Sequence, residues 1–270
     1  MSVPKIKNIV IAALVLINAF FLVFIVADSI ENSRSERIQL ENLTAVFNAS
    51  GIILDPDNIR NVRTPLPAMR SSRNIQTEER IAQAVLGSVD IAEHGVIINE
   101  FTRHGAGTAT FYSGGNFDIM LYDGVISSDD EAETVRRILN DMGIEVSDVF
   151  ESEYGIFTAF VAYRGFRIFN NTIRFIFGNG SLRAVFGRYI AAIEPADDSE
   201  IPSVITSLLA FLAYADGPDE ILQVEAGFYS ESGMIGDGFL KPVWLISTNS
   251  GRRHIANGTD IWQITDNFSF

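Results

Sequence analysis

Between Ile9 and Val26 the chain reads IVIAALVLINAFFLVFIV, eighteen residues of which seventeen are apolar and one, Asn18, carries an amide. A helix rises ~1.5 Å per residue, so this run spans ~27 Å, close to the hydrocarbon thickness of a bilayer. Lys5 and Lys7 precede it, and Asp28 and Glu31 follow it. The positive-inside rule turns that asymmetry into a cytoplasmic N-terminus and an outward-facing remainder. A cleaved signal peptide is the main rival, but its apolar core usually runs ~7–15 residues and ends in an A-x-A pattern. No such pattern follows this run, and the sequence predicts an uncleaved signal-anchor: one transmembrane helix in the cell membrane, with the C-terminal domain extracellular. Asn18 is then either a polar residue that a long apolar run tolerates or a hydrogen-bonding handle for a second membrane helix.

The remainder has to fold in water, and its composition allows a large core. The chain has 270 residues, 47% hydrophobic, with 20 Phe. Such a composition is not that of a disordered chain. There is no cysteine, which excludes disulfides, thiol chemistry and cysteine-ligated metals. With Lys5 and Lys7 set aside, 18 bases face 34 acids. That surface repels phosphate backbones and anionic lipid alike, so nucleic acid is not an expected partner.

Pattern and punctuation divide the chain into an anchor (1–30), a stalk helix and proline-bearing linker (31–70), a first α+β module (71–127) and two further α+β modules (128–270). Each module begins with a helix: NIQTEERIAQAVLG with Thr77 as N-cap, SSDDEAETVRRILNDMG with Ser128, and SEIPSVITSLLAFLAYADG with Ser199. Gly87 and Gly143 stop the first two. Three strand-like runs separated by turn residues follow each helix. The expected fold class is therefore α+β, with modules of one helix and three antiparallel strands, each sheet covered on one face by its helix.

No catalytic constellation is legible. His94 and His104 flank one strand and would lie ~33 Å apart if it were extended, too far for one metal ion. There is no G-x-S-x-G elbow, P-loop or complete calcium loop. No catalytic residue, metal or cofactor is expected, although 34 acids can always supply a carboxylate pair for a wall-active hydrolase. Six Asn-x-Ser/Thr triplets begin at Asn42, Asn48, Asn170, Asn179, Asn257 and Asn267, and turn chemistry explains them better than glycosylation. Phe157, Phe160, Tyr163, Phe166, Phe169, Phe175, Phe177 and Phe186 crowd one sheet. Core packing is their default reading, and a ligand groove or partner surface is the sharper one.

Several segments resemble one family. VEAGFYS, LKPVWLIST and RRHIANGTDIW are similar to the C-terminal end of the YycH/YycI-type two-component system regulatory proteins of Firmicutes, most of all the YycI-like members. The matching positions are Gly227, Phe228, Tyr229, Pro242, Trp244, Asn257 and Gly258. YRGFRIFNNTIRFIFGNGSL looks like the family's middle segment, and Leu16, Asn18 and Phe20 resemble the Leu-x-Asn-x-Phe of its membrane helix. Residues 55 to 125 match least. The resemblance implies a membrane-anchored, non-catalytic regulator of a sensor histidine kinase of the YycG/WalK type, acting in control of cell-wall metabolism. It implies contact through the membrane helix and ectodomain, and pairing with a YycH-like paralogue. A rival reading is an anchored, PepSY-like ligand-binding sensor that uses the Phe-rich sheet.

Overall fold

Alternating apolar residues dominate the fold, because fifteen strands join in one branched sheet. The structure, a computed structural model, describes residues 38–59, 66–122, 124–152, 154–191, 193–232 and 237–264. Asn18, Leu16 and Phe20 and the expected membrane helix lie outside these. Among the described residues no helix is long and apolar enough to cross a membrane.

The protein is mixed α+β and strand-rich, with four α-helices among the described residues. Helix α1 (38–49) leads to β1 (Ile52–Leu54), a single 3-10 turn (Pro56–Asn58) and β2 (Pro67–Ser72). The first unit is α2 (Ile75–Leu86) with β3 (Asp90–His94), β4 (Ile98–Arg103), β5 (Gly107–Tyr112) and β6 (Asn116–Leu121). The second is α3 (Glu131–Met142) with β7 (Val146–Glu151), β8 (Ile156–Tyr163), β9 (Phe166–Gly178) and β10 (Ser181–Arg188). After β11 (Glu194–Glu200) the third unit contains α4 (Val204–Tyr214), β12 (Asp219–Ser232), β13 (Asp237–Thr248), β14 (Arg253–Asn257) and β15 (Asp260–Ile264).

Each unit thus has a helix and four strands, not three. The polar edge strands β3 and β7 carry Asp90, Glu93 and His94, and Asp148 and Glu151. They lack the apolar alternation that marks a half-buried strand. In the third unit the turn at Asn257–Gly258, with Gly258 at φ +63°, divides one expected strand into β14 and β15.

The modules also do not keep separate sheets. β6 pairs antiparallel with β10, fusing two units into one eight-stranded antiparallel sheet in the order β3-β4-β5-β6-β10-β9-β8-β7. One face buries Phe101, Phe111, Phe117, Ile119, Phe157 and Phe175 with α2 and α3. Across the opposite face runs one row of directly paired residues: Glu93, Glu100, Thr110, Asp118, Phe186, Arg174, Thr158 and Phe150. Directly opposed residues share a face, so the aromatic residues of this sheet are divided between its two faces.

The helix caps differ from expectation while both glycine stops hold. Asn74, not Thr77, caps α2, its Oδ1 accepting from the Thr77 amide at 3.0 Å. Asp130, not Ser128, caps α3 by accepting from the Glu133 amide at 2.9 Å. Ser199 lies in β11, and α4 begins after Ser203. Thr77 is already inside α2, Ser128 stands two residues before the cap of α3, and Ser203 at the start of α4 makes no side-chain capping bond. Gly87 and Gly143 follow the last helical residues.

The third unit joins the second through one close approach. Phe228 of β12 bridges Ile168 of β9 in parallel. The Asn170 side chain continues the ladder, donating to Ser230 O and accepting from Ser230 N, both at 2.8 Å. Asn170 therefore belongs to a strand junction, not to a turn. A Cβ on Gly227 would stand 2.4 Å from Arg167 O and 2.7 Å from the Phe169 ring, and a backbone oxygen cannot give way. Gly227→Ala is expected to destabilise the protein by about 1–3 kcal/mol through overpacking, read as a lower urea midpoint. An unchanged midpoint would contradict the tight junction.

Candidate functional site

The C-terminal residues that carry the resemblance all lie in the third unit, between β12 and the β14–β15 turn. Phe228 is buried and meets the rings of Tyr163 and Phe166 edge-on at 6.1 and 6.4 Å. Tyr229 packs on Trp262 at 5.5 Å. Pro242 lies where the free edge of β13 changes partner, from β2 at residues 237–240 to β14 at residues 244–247. No ladder donor is required at such a fork, which suits a residue without an N–H. Trp244 donates from Nε1 to Pro202 O at 2.7 Å. A Cβ on Gly258 would sit 3.8 Å from the same proline. These residues fix the chain entering α4 and the β12–β15 meander, and they form no chemical centre.

A polar cluster that the sequence did not single out lies where α2, β4, β10 and the end of β2 meet. Glu78 is fully buried in the first turn of α2. Its carboxylate accepts from Arg73 Nε at 2.5 Å, from Asn99 Nδ2 at 2.5 Å and from the Tyr189 hydroxyl. Burial, reinforced by Glu78, pushes the Tyr189 hydroxyl well above its ordinary pKa, so it remains a donor. Arg73 also donates from Nη1 to Val96 O at 2.9 Å and from Nη2 to Phe111 O at 3.1 Å. Asn99 Oδ1 accepts from the Gly95 amide at 3.1 Å and meets His94 Nδ1 at 2.8 Å. Glu78 thus ties together donors from three separate parts of the chain. It organises the β3–β4 hairpin, whose tip presents Val96 and Ile97 at 71% and 68% exposure. His94 is therefore a hairpin residue, and among the described residues no three metal-ligating side chains converge.

A second site is a pocket of about 150 Å³ between the C-terminal end of α4 and the turns at 215–219 and 249–252. His254 lines it, 4% exposed, with its ring edge-on to Phe211 and Tyr214 at 5.1 and 5.6 Å and no hydrogen-bond partner at Nδ1. Asp219 accepts from Ser250 Oγ at 2.8 Å, which with backbone donors holds its pKa below the usual value despite burial. Ser250 also meets Thr248 Oγ1 at 2.8 Å. The serine is thus engaged by the carboxylate, and no serine–histidine hydrogen bond links the group into a nucleophile–base pair.

Burial, and next Arg252, lower the His254 pKa from its ordinary 6.5, with Asp219 opposing. A histidine whose folded pKa is depressed stabilises the fold above the unfolded pKa and destabilises it as pH falls from there toward the folded pKa. The melting temperature is therefore expected to fall below about pH 6.5, and His254→Phe is expected to flatten that part of the slope. Parallel wild-type and variant slopes would contradict this role.

The aromatic reading is also divided. Phe157, Phe169, Phe175 and Phe177 are buried. Phe160 lies between the Phe150 ring at 5.6 Å and the Arg167 guanidinium at 3.6 Å.

No family model matches the chain, and no curated protein matches it. Among solved structures it is similar to an uncharacterized protein from Eubacterium rectale, with 10% identity over 74% of this chain and 87% of that one and a TM-score of 0.44.

Proposed function

We propose that this protein is a membrane-anchored, extracytoplasmic regulator of a sensor histidine kinase. In this reading it acts without catalysis, by contact through its membrane helix and its outer domain. The kinase class and the link to cell-wall metabolism rest on the family resemblance, as does pairing with a YycH-like paralogue. The observation that carries the reading is the way α1 enters the domain. In the sequence α1 follows the apolar run, and its Leu43 and Phe47 are 4% and 0% exposed within the main core. A mere tether would be solvated on every side. A helix embedded in this way can pass a displacement between membrane and outer domain.

Asn18 is the proposed contact point within the membrane, flanked by Leu16 and Phe20. An interhelical hydrogen bond from its amide is worth about 0.5–2 kcal/mol. Asn18→Leu is expected to leave insertion intact and weaken association in a membrane two-hybrid assay. Unchanged association would return Asn18 to the role of a tolerated polar residue.

An anchored, PepSY-like ligand sensor is the second reading. The aromatic residues of its Phe-rich sheet are divided between two faces, and the cleft described next offers this reading a different groove.

A further inference from the structure

We infer that the groove between α2 and α3 is a binding site for a multivalent oxyanion, phosphate or carboxylate in its chemistry. The groove has a volume of about 640 Å³ and is lined by Arg80 and Gln83 of α2, Arg103 at the end of β4, and Arg137 and Asp141 of α3. The chain carries a net charge of −14, so three guanidiniums facing one carboxylate run against the charge of the whole protein. All three arginines are exposed.

Two of them have a structural reason to be there. Arg103 donates to Leu86 O at the end of α2 and fills the space that Gly87 leaves open, where a Cβ would stand 2.4 Å from its Nη1. Arg80 lies over Gly143 at the end of α3, where a Cβ would be 3.1 Å from its Cζ. Both helix C-termini carry about half a negative charge and attract a cation. That accounts for two guanidiniums and leaves Arg137 unexplained. Among the described residues neither Arg80 nor Arg137 forms an ion pair. Each planar fork therefore keeps donors that match the two oxygens of a carboxylate or phosphate edge. The separation of the arginines over two helices and a strand end favours a ligand with more than one anionic group.

The inference does not rest on the regulator reading. It is tested by titrating the full chain, in a neutral detergent at low ionic strength, with inorganic tripolyphosphate and separately with citrate, using calorimetry. Saturable binding of at least one anion is expected, weakened about tenfold or more in Arg80→Gln/Arg137→Gln, as the loss of charge-assisted hydrogen bonds requires. The double variant should melt within a few degrees of the parent, because both side chains are exposed and only the Arg80 contact with the end of α3 is lost. Arg136→Gln is the control: Arg136 lies outside the groove lining and faces Glu133 at 3.7 Å, and its loss should leave binding unchanged. Which anion binds distinguishes a phosphate source from a carboxylate source. Binding of neither, binding retained in the double variant, or equal loss in Arg136→Gln would overturn the inference.

Discussion

Glu78→Ala is expected to cost about 3–5 kcal/mol, because it breaks a buried ion pair and leaves the opposite charge uncompensated. Glu78 is fully buried and holds three donors from three separate parts of the chain. Its loss strands Arg73, which is only 13% exposed, along with the Asn99 amide and the Tyr189 hydroxyl. Leaving such donors unpaired costs more than the pair itself contributes. The joint replacement Arg73→Met with Glu78→Leu is therefore expected to recover much of the loss. The effect should also be visible locally. Arg73 and Asn99 hold the tip of the β3–β4 hairpin, so amide exchange around Val96 should accelerate in the single variant before global unfolding. A cost near zero, or a double variant no better than Glu78→Ala, would show that the cluster does not organise this region.

Phe47→Ala is expected to cost about 3–5 kcal/mol as well, by removing a large side chain from a packed core. Phe47 has no exposed surface and belongs to the main core, so its neighbours cannot all collapse into the space. Val46, next in the chain but 47% exposed, supplies the comparison. Val46→Ala should stay within about 0.5 kcal/mol of the parent, as surface changes do. The contrast matters for the proposed function because it measures how firmly α1 is held by the folded domain. Equal and small effects at both positions would make α1 a loose stalk and remove the proposed mechanical link.

The three helices with glycine or polar punctuation were legible because each signal is local. An Ile81–Val85 stripe, an acidic first turn and Gly87 at the end specify α2 without reference to anything distant. The cap assignments missed by a few residues because several Ser, Thr, Asn and Asp residues compete near each start, and the residue at which the helix begins decides among them. β3 and β7 were not legible for a different reason. They are edge strands whose ladder bonds, not apolar side chains, place them in the sheet, and β3 is exposed along its whole length. The fusion through β6 and β10 is long-range and leaves no mark in either strand alone.

The Glu78 cluster shows what a closer reading could find. Glu78 recurs with Ile81, Ala82 and Val85 at the spacing of one helix face, all buried. An acid on an apolar stripe needs a buried partner, and Arg73 lies five residues away. A first-turn acid also suits the helix dipole, and that local role does not disclose the burial. His254 gave no such signal. Its burial depends on α4 folding back over β14, which the residues around it do not disclose.

The most direct test of the proposed function is purification of the tagged full-length chain from native membranes in a mild detergent, followed by identification of stoichiometric partners. The account predicts a complex containing a membrane-bound sensor histidine kinase, lost or weakened with Asn18→Leu. A monodisperse protein without a kinase partner, from membranes in which such a kinase is present, would contradict it.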